Sequence, residues 1–114
     1  RELGLLVGVL HSAVADFDGD GDLDIAAVGL FPSAHLESPG AYDSICWWEQ
    51  RANLEFVRHS IERDQCTHAT CEAADVNSDG RVDLIVGQWL AEDRTAFQIF
   101  LNLPPEAATS TTTN

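Results

Sequence analysis

The chain has 114 residues, 19 of them acidic and 6 basic, for a formal charge of −13 and a pI near 4.3. So acidic a balance argues against nucleic acid as a partner, because phosphate recognition needs a basic footprint. No apolar run is long enough to span a bilayer as a helix.

In chain order, residues 1–10, with the apolar stretch Leu3 to Leu10, read as a displaced strand, the outer strand of a preceding unit. A first short strand is expected over 12–16. It leads into Asp16-Phe17-Asp18-Gly19-Asp20-Gly21-Asp22-Leu23-Asp24. Oxygen-bearing side chains stand at positions 1, 3, 5 and 9 of this stretch and Gly at position 6. That is how a loop folds around a hard cation such as Ca²⁺, which takes several oxygen ligands. The Gly supplies the sharp turn. A strand follows over 23–29, an apolar run ended by Gly29. Phe31 to Asp43 carries Pro32, Pro39 and Gly40 and reads as a long loop. Strands are then expected over 44–49, with Trp47 and Trp48, and over 55–61. The acidic pattern returns 59 residues on, as Asp75-Val76-Asn77-Ser78-Asp79-Gly80-Arg81-Val82-Asp83. It lies between strands expected over 71–75 and 82–88. A last strand is expected over 96–102. Pro104-Pro105 stops it, and the Ala, Ser and Thr of the tail have little to bury.

Position 12 separates the known kinds of calcium loop. A helix–loop–helix hand needs a bidentate acid there, and this chain has Ala27 and Val86. The closing ligand is instead at position 9, inside the strand that follows. The predicted ligands are Asp16, Asp18, Asp20 and Asp24 in loop one, and Asp75, Asn77, Asp79 and Asp83 in loop two, with Asp22 and Arg81 contributing backbone carbonyls at position 7. Without metal the carboxylates repel one another, so the loops are expected to order with the ion. Two bound Ca²⁺ would bring the charge from −13 to −9.

These residues resemble the FG-GAP or VCBS repeat, in which Asp-x-Asp-x-Asp-Gly-x-x-Asp stands between two strands. The bacterial form adds a His and small residues before the loop, a Trp-Trp-Glu strand and a Phe-x-x-His-x-Ile strand. The matching segments here are His11-Ser12-Ala13-Val14-Ala15, Ile45-Cys46-Trp47-Trp48-Glu49 and Phe56-Val57-Arg58-His59-Ser60-Ile61. The resemblance covers residues 11 to 103 and implies an all-β fold of four-stranded antiparallel β-propeller blades, each with a calcium loop between its first two strands.

On this reading residues 11–61 are blade one, 62–103 an incomplete blade two, and 104–114 a disordered tail. A propeller closes with about four to eight blades, so two leave apolar faces open, with Ile25, Val28, Ile85, Val86 and the tryptophans expected on them. The expected partners are further blades, supplied by a longer parent chain (the favoured source), by identical copies or by another subunit.

Cys66 and Cys71 flank a short loop and form a candidate disulfide in an oxidising compartment. His68 between them raises zinc as a weaker alternative. Cys46 reads as a core thiol. Trp47 and Trp48 must point to opposite faces, one into the core and the other either packed or stacking on a ligand. His11 and His68, placed just before the first strands, either support the fold or contact a ligand. His35 and His59 read as solvated. The expected function is a non-catalytic, calcium-stabilised binding or scaffold module for protein or carbohydrate, extracellular, periplasmic or on the cell surface. The alternative is the scaffold part of a larger enzyme or electron-transfer protein.

Overall fold

The computed structural model describes residues 2–30, 42–63, 67–88 and 96–104. Among the described residues seven strands follow one another: β1 (Val9–Ala15), β2 (Asp24–Gly29), β3 (Asp43–Arg51), β4 (Glu55–Arg63), β5 (His68–Ala74), β6 (Asp83–Gln88) and β7 (Phe97–Phe100). They form two antiparallel sheets, β1-β2-β3-β4 and β5-β6-β7, each in sequence order. Among the described residues there is no α-helix; a 3-10 turn at Ala52–Leu54 joins β3 to β4.

The repeat governs the detail. β5 and β6 begin and end 59 residues after β1 and β2. Both sheets have a register shift at the same place, between Val9 and His11 in one and between His68 and Thr70 in the other. Two sheets with this match and β1 lying beside β5 are consecutive blades of a partial propeller. The first has four strands and the second shows three.

The main core lies between the blades. Ala13, Ala26, Val28 and Ile45 of blade one meet Cys71, Leu84 and Val86 of blade two, with Phe17, Trp47, Ala73 and Phe100 at its margin. The two blades therefore meet through opposite faces, and one copy of each equivalent pair reaches the core: Ala26 points into it, whereas Ile85, 59 residues on, does not belong to it. The expectation that Val28 and Val86 lie on open faces is corrected, since both are fully buried. β2 and β6 are apolar on both faces, and here the neighbouring blade covers the face that these valines occupy. The open apolar surface of blade two is instead on β7 and just beyond it, with Phe97 66 % and Ile99 54 % exposed and Leu101 and Leu103 exposed as well.

Residues 2–8 do not form the expected displaced strand, and Val9 and Leu10 already belong to β1. The segment crosses the other face of blade one, where Leu6 packs with Ala27, Cys46 and Trp48. The Trp48 indole N–H donates to the Leu3 carbonyl at 2.6 Å and the Arg58 guanidinium donates to the Leu5 carbonyl. Arg58 also lies over the Trp48 ring, 5.3 Å from its centroid, a favourable cation–π distance. Gly29 permits the close approach, because a Cβ there would stand 2.6 Å from the Val7 carbonyl oxygen.

Asp43 ties β3 to β4 through Ser60 Oγ at 2.7 Å, Arg58 at 2.7 Å and Arg63 at 3.3 Å. Loss of solvation opposes its ionisation, but the Ser60 hydroxyl and the two guanidinium groups outweigh it and hold the carboxyl below its usual range. A depressed carboxylate stabilises the fold above its unfolded value and loses that contribution as pH falls through its folded value. Asp43→Asn should therefore destabilise the protein by about 1 kcal/mol at pH 7. In urea unfolding, the gap to wild type should close as the pH drops below the ordinary carboxylate range. A gap independent of pH would show that the charge is not what matters.

Candidate metal centres

The two acidic loops share one geometry. Position 6 (Gly21 and Gly80) turns with φ of +92° and +86°, a region glycine enters without strain. The carboxylate at position 1 gathers the backbone of its own loop. Asp16 Oδ2 accepts the Gly21 N–H at 2.8 Å, and its Oδ1 accepts Gly19 at 2.8 Å and Asp20 at 3.2 Å. Asp75 likewise takes Gly80 at 2.8 Å and Asp79 at 3.2 Å. At position 7, the Asp22 and Arg81 N–H groups donate at 2.9 Å to the carboxylates of Asp20 and Asp79.

Position 9 anchors each loop to its sheet. Asp24 and Asp83 are the first residues of β2 and β6, and both are buried. Asp24 Oδ2 accepts the Phe17 N–H at 2.9 Å and its Oδ1 the Gln50 N–H at 2.8 Å. Asp83 repeats this with Val76 at 3.0 Å and Asn102 at 2.8 Å. Gln50 and Asn102 were missed in the sequence. The signal was an amide residue two places after an aromatic, within β3 as Trp48-Glu49-Gln50 and just past β7 as Phe100-Leu101-Asn102.

Three carboxylates of each loop converge, Asp20 not being among those of loop one. Asp16, Asp18 and Asp24 bring carboxylate oxygens within 4.8 Å of one another, as do Asp75, Asp79 and Asp83. The Asn77 amide lies 3.1 Å from Asp75 Oδ1 and 3.0 Å from Asp79 Oδ1. With its NH₂ inward it bridges the two carboxylates, which suits a metal-free loop. With its oxygen inward it completes an all-oxygen set. In loop one the Gly21 N–H, above all, holds Asp16 below the usual carboxylate range. Asp18 is pushed up to about 7, chiefly by lost solvation and also by the Asp20 side chain and the charge of Asp24. The metal-free loop therefore keeps a proton on Asp18 that the unfolded chain gives up near pH 3.8, so this group weakens the metal-free fold as pH rises from about 4 to 7. A hard cation would replace that proton, and an oxygen-only donor set without soft ligands fits one.

The other candidate residues all make contacts within the fold. His11 lies within β1 rather than before it. Its Nδ1 accepts the Cys71 N–H at 3.2 Å and meets Thr70 Oγ1 at 2.8 Å, bridging the blades. His68, the buried first residue of β5, pairs with Glu62 at 2.5 Å, which also accepts the Ser44 hydroxyl. Trp47 has its ring stacked on His59 at 4.6 Å and edge-on to Phe17 at 6.1 Å. Trp48 is 6 % exposed beneath residues 2–8. His59 is not simply solvated, since it also bonds Glu49 at 2.9 Å.

Cys71 is a free thiol directed into the core between the blades, and burial pushes both it and Cys46 up to about 11. The candidate Cys66–Cys71 bridge falls outside the described residues, because Cys66 does. So do His35, Trp89, residues 31–41 and residues 105–114.

The model of the FG-GAP-like repeat matches residues 16–86, more than half of the chain, from the first residue of loop one into β6. The chain belongs to the FG-GAP-like repeat family. The match spans both acidic loops of this FG-GAP-like chain and the four strands β2 to β5 in full. No curated protein and no solved structure matches it. FG-GAP repeats are typically non-catalytic, and typically extracellular or surface modules. No helix among the described residues is long and apolar enough to cross a membrane.

Proposed function

We propose that this chain is a calcium-stabilised propeller module that works without catalysis outside the cell, as a binding or scaffold unit for protein or carbohydrate. The observation that carries the reading is the doubled loop: two sets of converging oxygens, each closed by a buried aspartate that is hydrogen-bonded to its own sheet. Each loop holds one Ca²⁺, with Asp16, Asp18, Asp20 and Asp24 around the first and Asp75, Asn77, Asp79 and Asp83 around the second. The apolar surface of Phe97 and Ile99 supports docking of a further blade, supplied by a longer chain, an identical copy or another subunit.

Loop one is the tighter site. Loop two has Asn77 in place of a carboxylate, and Arg81 beside it. It also holds Ser78 at φ +60°, where loop one has Gly19 at +75°, and a side chain is strained in that region. Calcium titration of Asp79→Ala reads loop one, and titration of Asp20→Ala reads loop two. Loop one is expected to bind on the order of ten-fold more tightly. Equal affinities would remove the ranking, and no binding to the unmodified chain would remove the calcium reading.

A further inference from the structure

The two loops are joined by a hydrogen-bonded path that the repeat itself does not require. Gln50 in blade one and Asn102 in blade two occupy the same place, each giving its backbone N–H to the buried aspartate of its own loop at 2.8 Å. Their side chains then diverge. Gln50 Nε2 stays within its blade and donates to the Leu23 carbonyl at 2.6 Å. Asn102 Nδ2 crosses to the other blade and donates to the Phe17 carbonyl. Phe17 is position 2 of loop one, and its own N–H donates to Asp24 Oδ2 at 2.9 Å. Its ring packs against the core between the blades and meets Trp47 edge-on. A continuous route thus runs from Asp83 through Asn102 and Phe17 to Asp24.

We propose that Asn102 couples the two cation sites, so that calcium in either loop raises the affinity of the other. This rests on the calcium reading above. A cation in loop two fixes Asp83, and with it the backbone of Asn102. The Asn102 side chain then holds the Phe17 carbonyl, so loop one has less freedom left to lose when its own cation arrives. By linkage the effect is reciprocal. One neutral hydrogen bond carries the route, so the coupling is near the low end of the usual range, about five-fold.

The test is a double-mutant cycle on the full chain, with calcium titrations of wild type, Asp79→Ala, Asn102→Ala and the double variant. Asn102→Ala removes the crossing amide and keeps the backbone N–H to Asp83. Silencing loop two with Asp79→Ala should weaken loop one about five-fold when Asn102 is present and leave it unchanged when Asn102 is Ala. Hydrogen exchange gives a second readout: the Phe17 amide should slow when loop two fills in wild type, and not in Asn102→Ala. Should Asn102→Ala fail to fold, Phe17 exchange in wild type against Asp79→Ala decides. A loop-one affinity and Phe17 exchange rate indifferent to Asp79→Ala would overturn the coupling alone. Absence of calcium binding to wild type would overturn the reading beneath it.

Discussion

Removing calcium with EGTA should lower the melting temperature of this chain by on the order of 20 °C. A ligand at a hundred times its dissociation constant adds about 2.7 kcal/mol per site, so two sites give about 5 kcal/mol. In a domain of roughly this size each kcal/mol moves the midpoint by about 4–8 °C. The effect is large because the loops are not appendages. Each is closed by an aspartate that starts the second strand of its blade. Calorimetry with and without EGTA, at fixed ionic strength, is the check. Superimposable melting curves would mean that the loops hold no stabilising ion.

Asp24→Ala should be the most damaging single change in loop one, with or without metal. The side chain is fully buried and accepts two backbone N–H groups, from Phe17 and Gln50. Its removal leaves two buried donors without partners, at about 1–3 kcal/mol each, so a loss on the order of 3 kcal/mol is expected beyond the lost cation ligand. Asp24→Asn keeps one acceptor oxygen and should fall between. Asp18→Ala removes an exposed carboxyl whose charge weakens the metal-free fold, and should cost nothing in EGTA at neutral pH. Urea unfolding of the three variants in EGTA separates these roles, and equal losses in Asp24→Ala and Asp18→Ala would contradict the buried-anchor account.

The strands and loops were legible because the acidic pattern repeats at 59 residues and each copy runs directly into an apolar strand. Residues 2–8 were not. Leu3 to Leu10 has the apolar character of a strand, but what fixes Leu3 and Leu5 are Trp48 and Arg58, far along the chain and invisible to local pattern. Val28 and Val86 were assigned to open faces because a strand apolar on both sides does not say which side its neighbour covers. For the same reason the sequence leaves His11 and His68 open between supporting the fold and contacting a ligand: their partners Thr70 and Glu62 come from the other blade. At the loops the acidic spacing was readable and does bring three carboxylates of each loop together, whereas the clamps from Gln50 and Asn102 needed the third strands in place.

The unequal cover of equivalent positions means that the two repeats are not interchangeable parts. Ile45, fully buried between the blades, has Phe97 as its counterpart on β7, and Trp47, half-buried against Phe17 and His59, has Ile99. A polar residue that would be absorbed on β7 would disrupt β3. Drift between the duplicated halves is therefore lopsided: the inner copy is constrained by packing, while the outer copy is held only by whatever it meets. A consensus averaged over both repeats would misjudge these positions in each.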